Sequence, residues 1–311
     1  MRYYLDTMLE YGSDRSALGV DMILDEWVAA TRRVSESDCA AAWTEMEKAR
    51  RAAESRGDRP TMLRLERLRL FQPGIKDSER ERILSRLMQP DDLTNASPAV
   101  LETVLDAAVS RGQTNLATAV ANTIIRDFTE TDYALDARMF LADSALARLA
   151  SLPPQSDEAA ACRSEAIKQL DIVREVYATS PEAARALLLL ARLRLGQGKI
   201  DEADKCYEDV LGVRGWSNLW PEALFGRGEC AEARREYLKA TAFYERIYIM
   251  YAAHRAWCAK AYLRRAICLN RSYEDNKAIE TLHAMLDGHA YDEFPEAGEA
   301  RELLAKLERG K

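Results

Sequence analysis

Residues 181–210 read PEAARALLLLARLRLGQGKIDEADKCYEDV. Apolar residues recur there at three and four, the mark of amphipathic helix, and Gly196-Gln197-Gly198 interrupts them. Within the stretch, small Ala191 stands twelve positions before Ala203, with Tyr207 four further on and Val210 seven further on. The same spacing returns as Gly228, Ala240, Tyr244 and Ile247, and again as Ala266, Ala278, Leu282 and Met285. The alanines Ala203, Ala240 and Ala278 are 37 and 38 residues apart. One supersecondary unit used repeatedly predicts an all-α solenoid of helical hairpins.

The spacing has a steric reason. Where two antiparallel helices approach most closely, only glycine or alanine fits, the role assigned to Ala191, Gly228 and Ala266. Residues four and seven after each second-helix alanine share its face and fill the space before the next hairpin.

Working outward, helices are expected over 2–11, 21–33, 38–56, 60–71, 78–88, 98–110, 114–128, 132–149, 157–178, 181–196, 200–211, 221–235, 237–251, 256–270, 274–286 and 295–308. Ser97-Pro98 and Ser180-Pro181 read as an N-cap serine with proline in the first turn. Gly57, Gly112 and Gly212 read as helix stops. Residues 89–97 (QPDDLTNAS) and 150–156 (ASLPPQS) are turn-rich connections. The expected organisation is an N-terminal helical region of atypical repeats (1–97), regular hairpins (98–294) and a C-terminal capping helix (295–311).

These residues resemble the tetratricopeptide repeat family over about residues 98–308. The family's bulky, leucine, small and later alanine-aromatic pattern reads here as Leu187…Leu190-Ala191…Ala203…Tyr207, then Leu224…Gly228…Ala240…Tyr244, then Tyr262…Ala266…Ala278…Leu282. A weaker copy spans Leu101…Leu105…Ala117…Ala121. Arg227 and Arg265 stand where leucine is usual, and the spacing exceeds the family's ~34 residues. The resemblance implies a right-handed superhelix whose first helices line a concave groove. It implies a noncatalytic protein–protein interaction scaffold holding a partner peptide or helix there. By motif position the groove residues are Arg185, Leu188, Arg192, Glu222, Phe225, Glu229, Glu232, Lys260, Leu263 and Ile267. Lys260 and Arg264 match the last pair of one subfamily's carboxylate clamp. Leu188, Arg192 and Gly226 replace its other members, so that clamp is rejected. The helix starts near Thr131-Asp132-Tyr133-Ala134 and Phe294-Pro295-Glu296-Ala297 are similar to those of bacterial cell-envelope repeat proteins. An envelope assembly or tethering factor is therefore the alternative function, and an enzyme or small-ligand-binding regulator the third.

Composition narrows the partners. The 311 residues are 48% hydrophobic and 31% charged, with a formal net charge of −7. An acidic chain is a poor non-specific ligand for nucleic acid. No run of ~18 apolar residues is present, so no membrane insertion is expected. MRYYLDTMLEYGSD lacks a basic region followed by an apolar core, which reads as cytoplasmic, or periplasmic if a leader has been removed. Oligomeric state stays open. Six cysteines without a CxxC pair read as buried reduced thiols. Three histidines (His254, His283, His289) lie far from them, so no metal or cofactor is expected.

Other features read as structure. The aromatics from Tyr237 to Tyr262 mostly follow helical spacing and read as core. Residues 59–86 hold seven arginines and one lysine against four acids, and read as a solvated, salt-bridged helical face. Gly196-Gln197-Gly198-Lys199 lacks the rest of a phosphate loop and reads as a turn. No Ser/His/Asp or Cys/His catalytic set is identifiable. Trp216 and Trp220 fall in or beside a connection and are possible partner anchors.

Overall fold

In the computed structural model, which describes residue 6 and residues 10–309, the described residues form helices and no strand. The helix expected at 2–11 lies mostly outside them. The helices are α1 (Leu18–Thr31), α2 (Glu36–Ser55), α3 (Arg59–Leu68), α4 (Asp77–Leu87), the single turn α5 (Pro90–Leu93), α6 (Pro98–Ser110), α7 (Thr114–Asp127), α8 (Asp132–Ser151), α9 (Asp157–Val176), α10 (Pro181–Gly196), α11 (Ile200–Leu211), α12 (Trp220–Ala233), α13 (Tyr237–Met250), α14 (Arg255–Arg271), α15 (Asp275–Leu286) and α16 (Pro295–Arg309). Short 3-10 segments follow α3 and precede α12, at Arg69–Phe71 and Arg214–Leu219. By contact the chain divides into two compact units between Ser144 and Ala145.

The second unit is built from the motif. Helices pair in order along the chain, and α10, α12, α14 and α16 also touch in succession. Ala191, Gly228, Ala266, Ala203, Ala240, Ala278, Tyr207, Tyr244, Leu282, Val210, Ile247 and Met285 are all buried. The closest approach is set by two glycines. A Cβ built on Gly228 falls inside 3.0 Å of the Tyr244 ring, which belongs to the second helix of its own hairpin. One on Gly226 falls inside 3.0 Å of the Tyr207 ring, from the preceding hairpin. Helix α12 is thus wedged between two tyrosines, and its two glycines make both contacts possible. The sequence reading assigned the role to Gly228 alone.

The two arginines that break the family pattern also straddle neighbours. Arg227 Nε donates to Asp204 of α11 at 2.7 Å, and its guanidinium lies 4.9 Å from the Phe243 ring of α13. Arg265 donates to Glu245 of α13 at 2.9 Å and to Thr281 of α15. Each long side chain does from the rim what a leucine would do inside.

The turns within hairpins share one device. Gly112 and Gly198 have φ of +67° and +76°, and each stands five positions before the alanine of the following helix (Ala117, Ala203). At the same offset from Ala240 and Ala278 stand Arg235 and Tyr273, with φ of 62° and 61°. That left-handed conformation costs an L-residue roughly 1–2 kcal/mol. Gly57 also has positive φ, but Gly212 does not, so it ends α11 without the left-handed cap. Ser180 accepts from Ala183 N as expected. The Ser97 hydroxyl instead donates to Asp21 at 3.0 Å.

The first unit is packed around α3, whose residues 61–68 are buried all round. Leu65 and Leu68 meet a tryptophan pair, Trp27 and Trp43, with ring centroids 4.8 Å apart and planes at 78°. Arg64 is fully buried. It donates to Asp21 at 2.9 Å and to the carbonyls of Asp14, Arg15 and Ala17, so it fixes the chain before α1. Arg67 pairs with Asp25, Arg59 with Asp92, and Arg86 with Glu54. The basic stretch is salt-bridged as expected. It is not a solvated face, because much of its charge is turned inward to close the packing between helices.

Overpacking of this kind costs about 1–3 kcal/mol. Gly228→Leu should therefore lower the melting temperature far more than Glu229→Leu, and equal melting temperatures would refute the packing. Tyr273 is 95% exposed, so Tyr273→Gly loses no contact and relieves the strained turn. It should raise stability by about 1 kcal/mol in urea melts.

Candidate functional site

The first helices α10, α12 and α14 carry the ten groove residues. Most of these residues come together. Arg192 of α10 pairs with Glu222 of α12. The Phe225 ring lies 5.2 Å from Tyr244 and 5.4 Å from Trp257 of α14. Lys260 Nζ sits 4.8 Å from the Trp257 ring centroid, a cation–π contact. Burial pushes the Glu229 carboxyl above its usual range, against the pull of Arg264, Arg192 and Lys260 nearby. Burial raises Glu222 likewise, opposed by Arg192 and Lys260. Arg185 is exposed on α10.

Three of the ten are buried: Leu188, Glu232 and Leu263. Glu232 is buried under Tyr244, Arg264 and Arg271: the phenol donates at 2.6 Å, Arg264 at 2.8 and 2.9 Å, and Arg271 at 3.3 Å. Burial and this acid hold the Tyr244 phenol well above its ordinary pKa. Glu232 therefore ties three helices together rather than facing solvent. Register alone does not distinguish the two roles, because both place a residue on the same helical face.

Leu263 and Ile267 floor a cavity of about 820 Å³, whose opposite wall is α16 with Glu299, Glu302, Leu303 and Lys306. Sequence reasoning left out α16, and also Trp257. A signal for Trp257 was present: it precedes Lys260 by three, one turn away on the same face. Of the two proposed anchors, Trp216 is half-buried within the 3-10 segment, at φ −105° and ψ 19°. Trp220 is also half-buried, donates Nε1 to the Val210 carbonyl at 3.2 Å, and meets Tyr251 edge-on at 6.4 Å.

The side chains gathered here are of the kinds that make noncovalent contacts. Burial pushes the thiols of Cys230 and Cys268 up to about 12, far from the thiolate a nucleophile needs. What the face offers is the Phe225–Trp257 aromatic pair, Lys260, Glu229 and the Arg192–Glu222 bridge. Among the described residues no helix is long and apolar enough to cross a membrane.

A family model described as tetratricopeptide repeat matches residues 163–203 and 188–257. No curated protein matches the sequence. Among solved structures, the MamA protein is 14% identical, covering 67% of this chain and 94% of its own, with a TM-score of 0.47. A tetratricopeptide repeat protein from Parabacteroides merdae is 16% identical, covering 85% and 98%, with a TM-score of 0.40. A signal transduction ATPase with numerous domains and a tetratricopeptide repeat sensor, from Pyrococcus horikoshii, is 16% identical over 92% of this chain and 40% of that one, at a TM-score of 0.50. Residues 163–257, where the motif, the hairpin packing and the family match coincide, carry tetratricopeptide repeats.

Proposed function

We propose that the protein is a noncatalytic interaction scaffold whose second unit holds a partner peptide or helix across α10, α12 and α14. The observation that carries this reading is the half-buried Phe225–Trp257 pair capped by Lys260. Half-buried aromatics beside a lysine are the surface type that binding hot spots use. The contacting set is Arg185, Arg192, Glu222, Phe225, Glu229, Lys260 and Ile267. Leu188, Glu232 and Leu263 support it from beneath. Trp216 and Trp220 flank the start of α12 as further anchors. On this reading residues 1–97 are an atypical helical region, 98–294 the working hairpins, and 295–311 the cap. The outward positions of α16, among them Arg301, Glu302, Lys306 and Glu308, are exposed and polar, as a terminal repeat requires.

A pulldown with the intact chain should recover partners that Phe225→Ala and Lys260→Glu both lose, with circular dichroism confirming that both variants fold. Lys260→Glu leaves the core untouched, so unchanged recovery with that variant refutes the assignment. Partner addition should also reduce acrylamide quenching of Trp216 and Trp220, measured in Trp216→Phe and Trp220→Phe variants. Quenching that stays constant in every variant would remove them as anchors.

A further inference from the structure

The second helices of successive hairpins can be compared residue for residue, because Ala203, Ala240 and Ala278 hold the same place in each. On the outward side α11 carries Asp201, Lys205, Asp209 and Gly212, and α15 carries Asn276, Glu280, Ala284 and Asp287. At the same four positions α13 carries Leu238, Ala242, Arg246 and Ile249, all exposed. Steps of four, four and three keep them on one helical face. Leu238 and Ile249 are 61% and 67% exposed, and Met250, beside Ile249, is 58% exposed. The fold does not require this apolar strip, since the equivalent strips on both neighbouring hairpins are mostly polar. It is one helix wide, and from Leu238 to Ile249 it runs about 16 Å.

The strip continues at the end of α11. Trp220 donates Nε1 to the Val210 carbonyl and meets the Tyr251 ring edge-on, so it brings the ends of α11 and α13 together. Val213 stands just past the first of these ends, exposed, at the register of Met250. The charge beside these apolar groups is positive. Arg246 replaces the Asp209 of α11, and Arg214 follows Val213. Both are exposed, and among the described residues neither side chain is in an ion pair. The acids nearest them along the chain are engaged elsewhere, Asp209 by Lys205 and Glu245 by Arg265.

We propose that this strip docks one acidic amphipathic helix of another protein, its apolar side chains covering Leu238, Ala242, Ile249 and Met250 and its carboxylates meeting Arg246 and Arg214. Two guanidiniums without ion pairs beside an apolar strip set the sign of the partner. A strip one helix wide, with anchors a turn or more apart, matches the apolar face of a single helix. An anionic bilayer is the poorer occupant, because a flat sheet would also meet Glu280 and Asp287 of the flanking strip. The surface lies on second helices, whereas α10, α12 and α14 are first helices, and neither reading depends on the other.

The test is fluorescence anisotropy with the full chain and a fluorescein-labelled amphipathic Leu/Glu helix peptide, with a Leu/Lys peptide of the same pattern as control. The Leu/Glu peptide should bind the more tightly, although a net charge of −7 favours the Leu/Lys peptide wherever binding is non-specific. Leu238→Asn with Ile249→Gln should weaken Leu/Glu binding about tenfold or more. Arg246→Asp, which installs the residue α11 has at that register, should weaken it several-fold and favour the Leu/Lys peptide. All three positions are exposed, so circular dichroism and melting temperature should stay level. Lys260→Glu, in the groove of the first helices, should leave affinity unchanged. Light scattering and sedimentation with phosphatidylserine vesicles test the other occupants. A dimer, or vesicle binding, that Leu238→Asn with Ile249→Gln abolishes would give the strip to a second copy or to a bilayer and overturn the proposal. So would tighter binding of the Leu/Lys peptide, no binding of the Leu/Glu peptide, or an affinity that the α13 variants leave unchanged.

Discussion

Two tyrosine rings need room, and two hydrogen atoms give it. Tyr207 and Tyr244 project from successive second helices onto Gly226 and Gly228 of α12. With any side chain at those glycines the helix would have to move off the rings. That would pull Phe225 from Trp257 and Glu222 from Arg192, since all four glycine and site positions sit on the same fourteen-residue helix. The proposed recognition surface is in this sense a consequence of how closely α12 is seated.

Polar groups then fix what the rings leave adjustable. The Tyr244 phenol reaches Glu232 at 2.6 Å, and Glu232 in turn gathers Arg264 and Arg271 from the next hairpin. A buried acid with three donor side chains is satisfied, and its loss would leave the buried Tyr244 phenol without its acceptor. Arg227 and Arg265 make bridges of the same kind at the rim. In the first unit Arg64 closes the packing by collecting one carboxylate and several carbonyls from the chain before α1. Charge here works mainly between helices.

The hairpins were legible because their cause is local and periodic. A small residue twelve before an alanine, then a ring four on, records a helix crossing in the sequence itself. Gly226 was harder to see, since its partner ring belongs to the hairpin before. Ser97 reads as a cap in sequence, yet its hydroxyl serves Asp21, 76 residues away. The arginine-rich stretch at 59–86 misled for the same reason, because composition does not reveal that α3 is enclosed. Register put the proposed groove residues Arg192, Glu222, Phe225, Glu229 and Lys260 on successive first helices, and the structure has them on α10, α12 and α14. It could not tell that Leu188, Glu232 and Leu263 are covered, which depends on the packing of neighbouring helices. Arg235 and Tyr273 were silent as turn residues, because only the fold forces them to positive φ.

The seating of α12 is tested most directly by a double-mutant cycle on Gly228→Ala and Tyr244→Leu, followed by urea unfolding. If the ring occupies the space above Gly228, the added methyl should be costly beside tyrosine and cheap beside leucine, giving a favourable coupling of about 1 kcal/mol or more. Additive effects within ~0.5 kcal/mol would contradict the account.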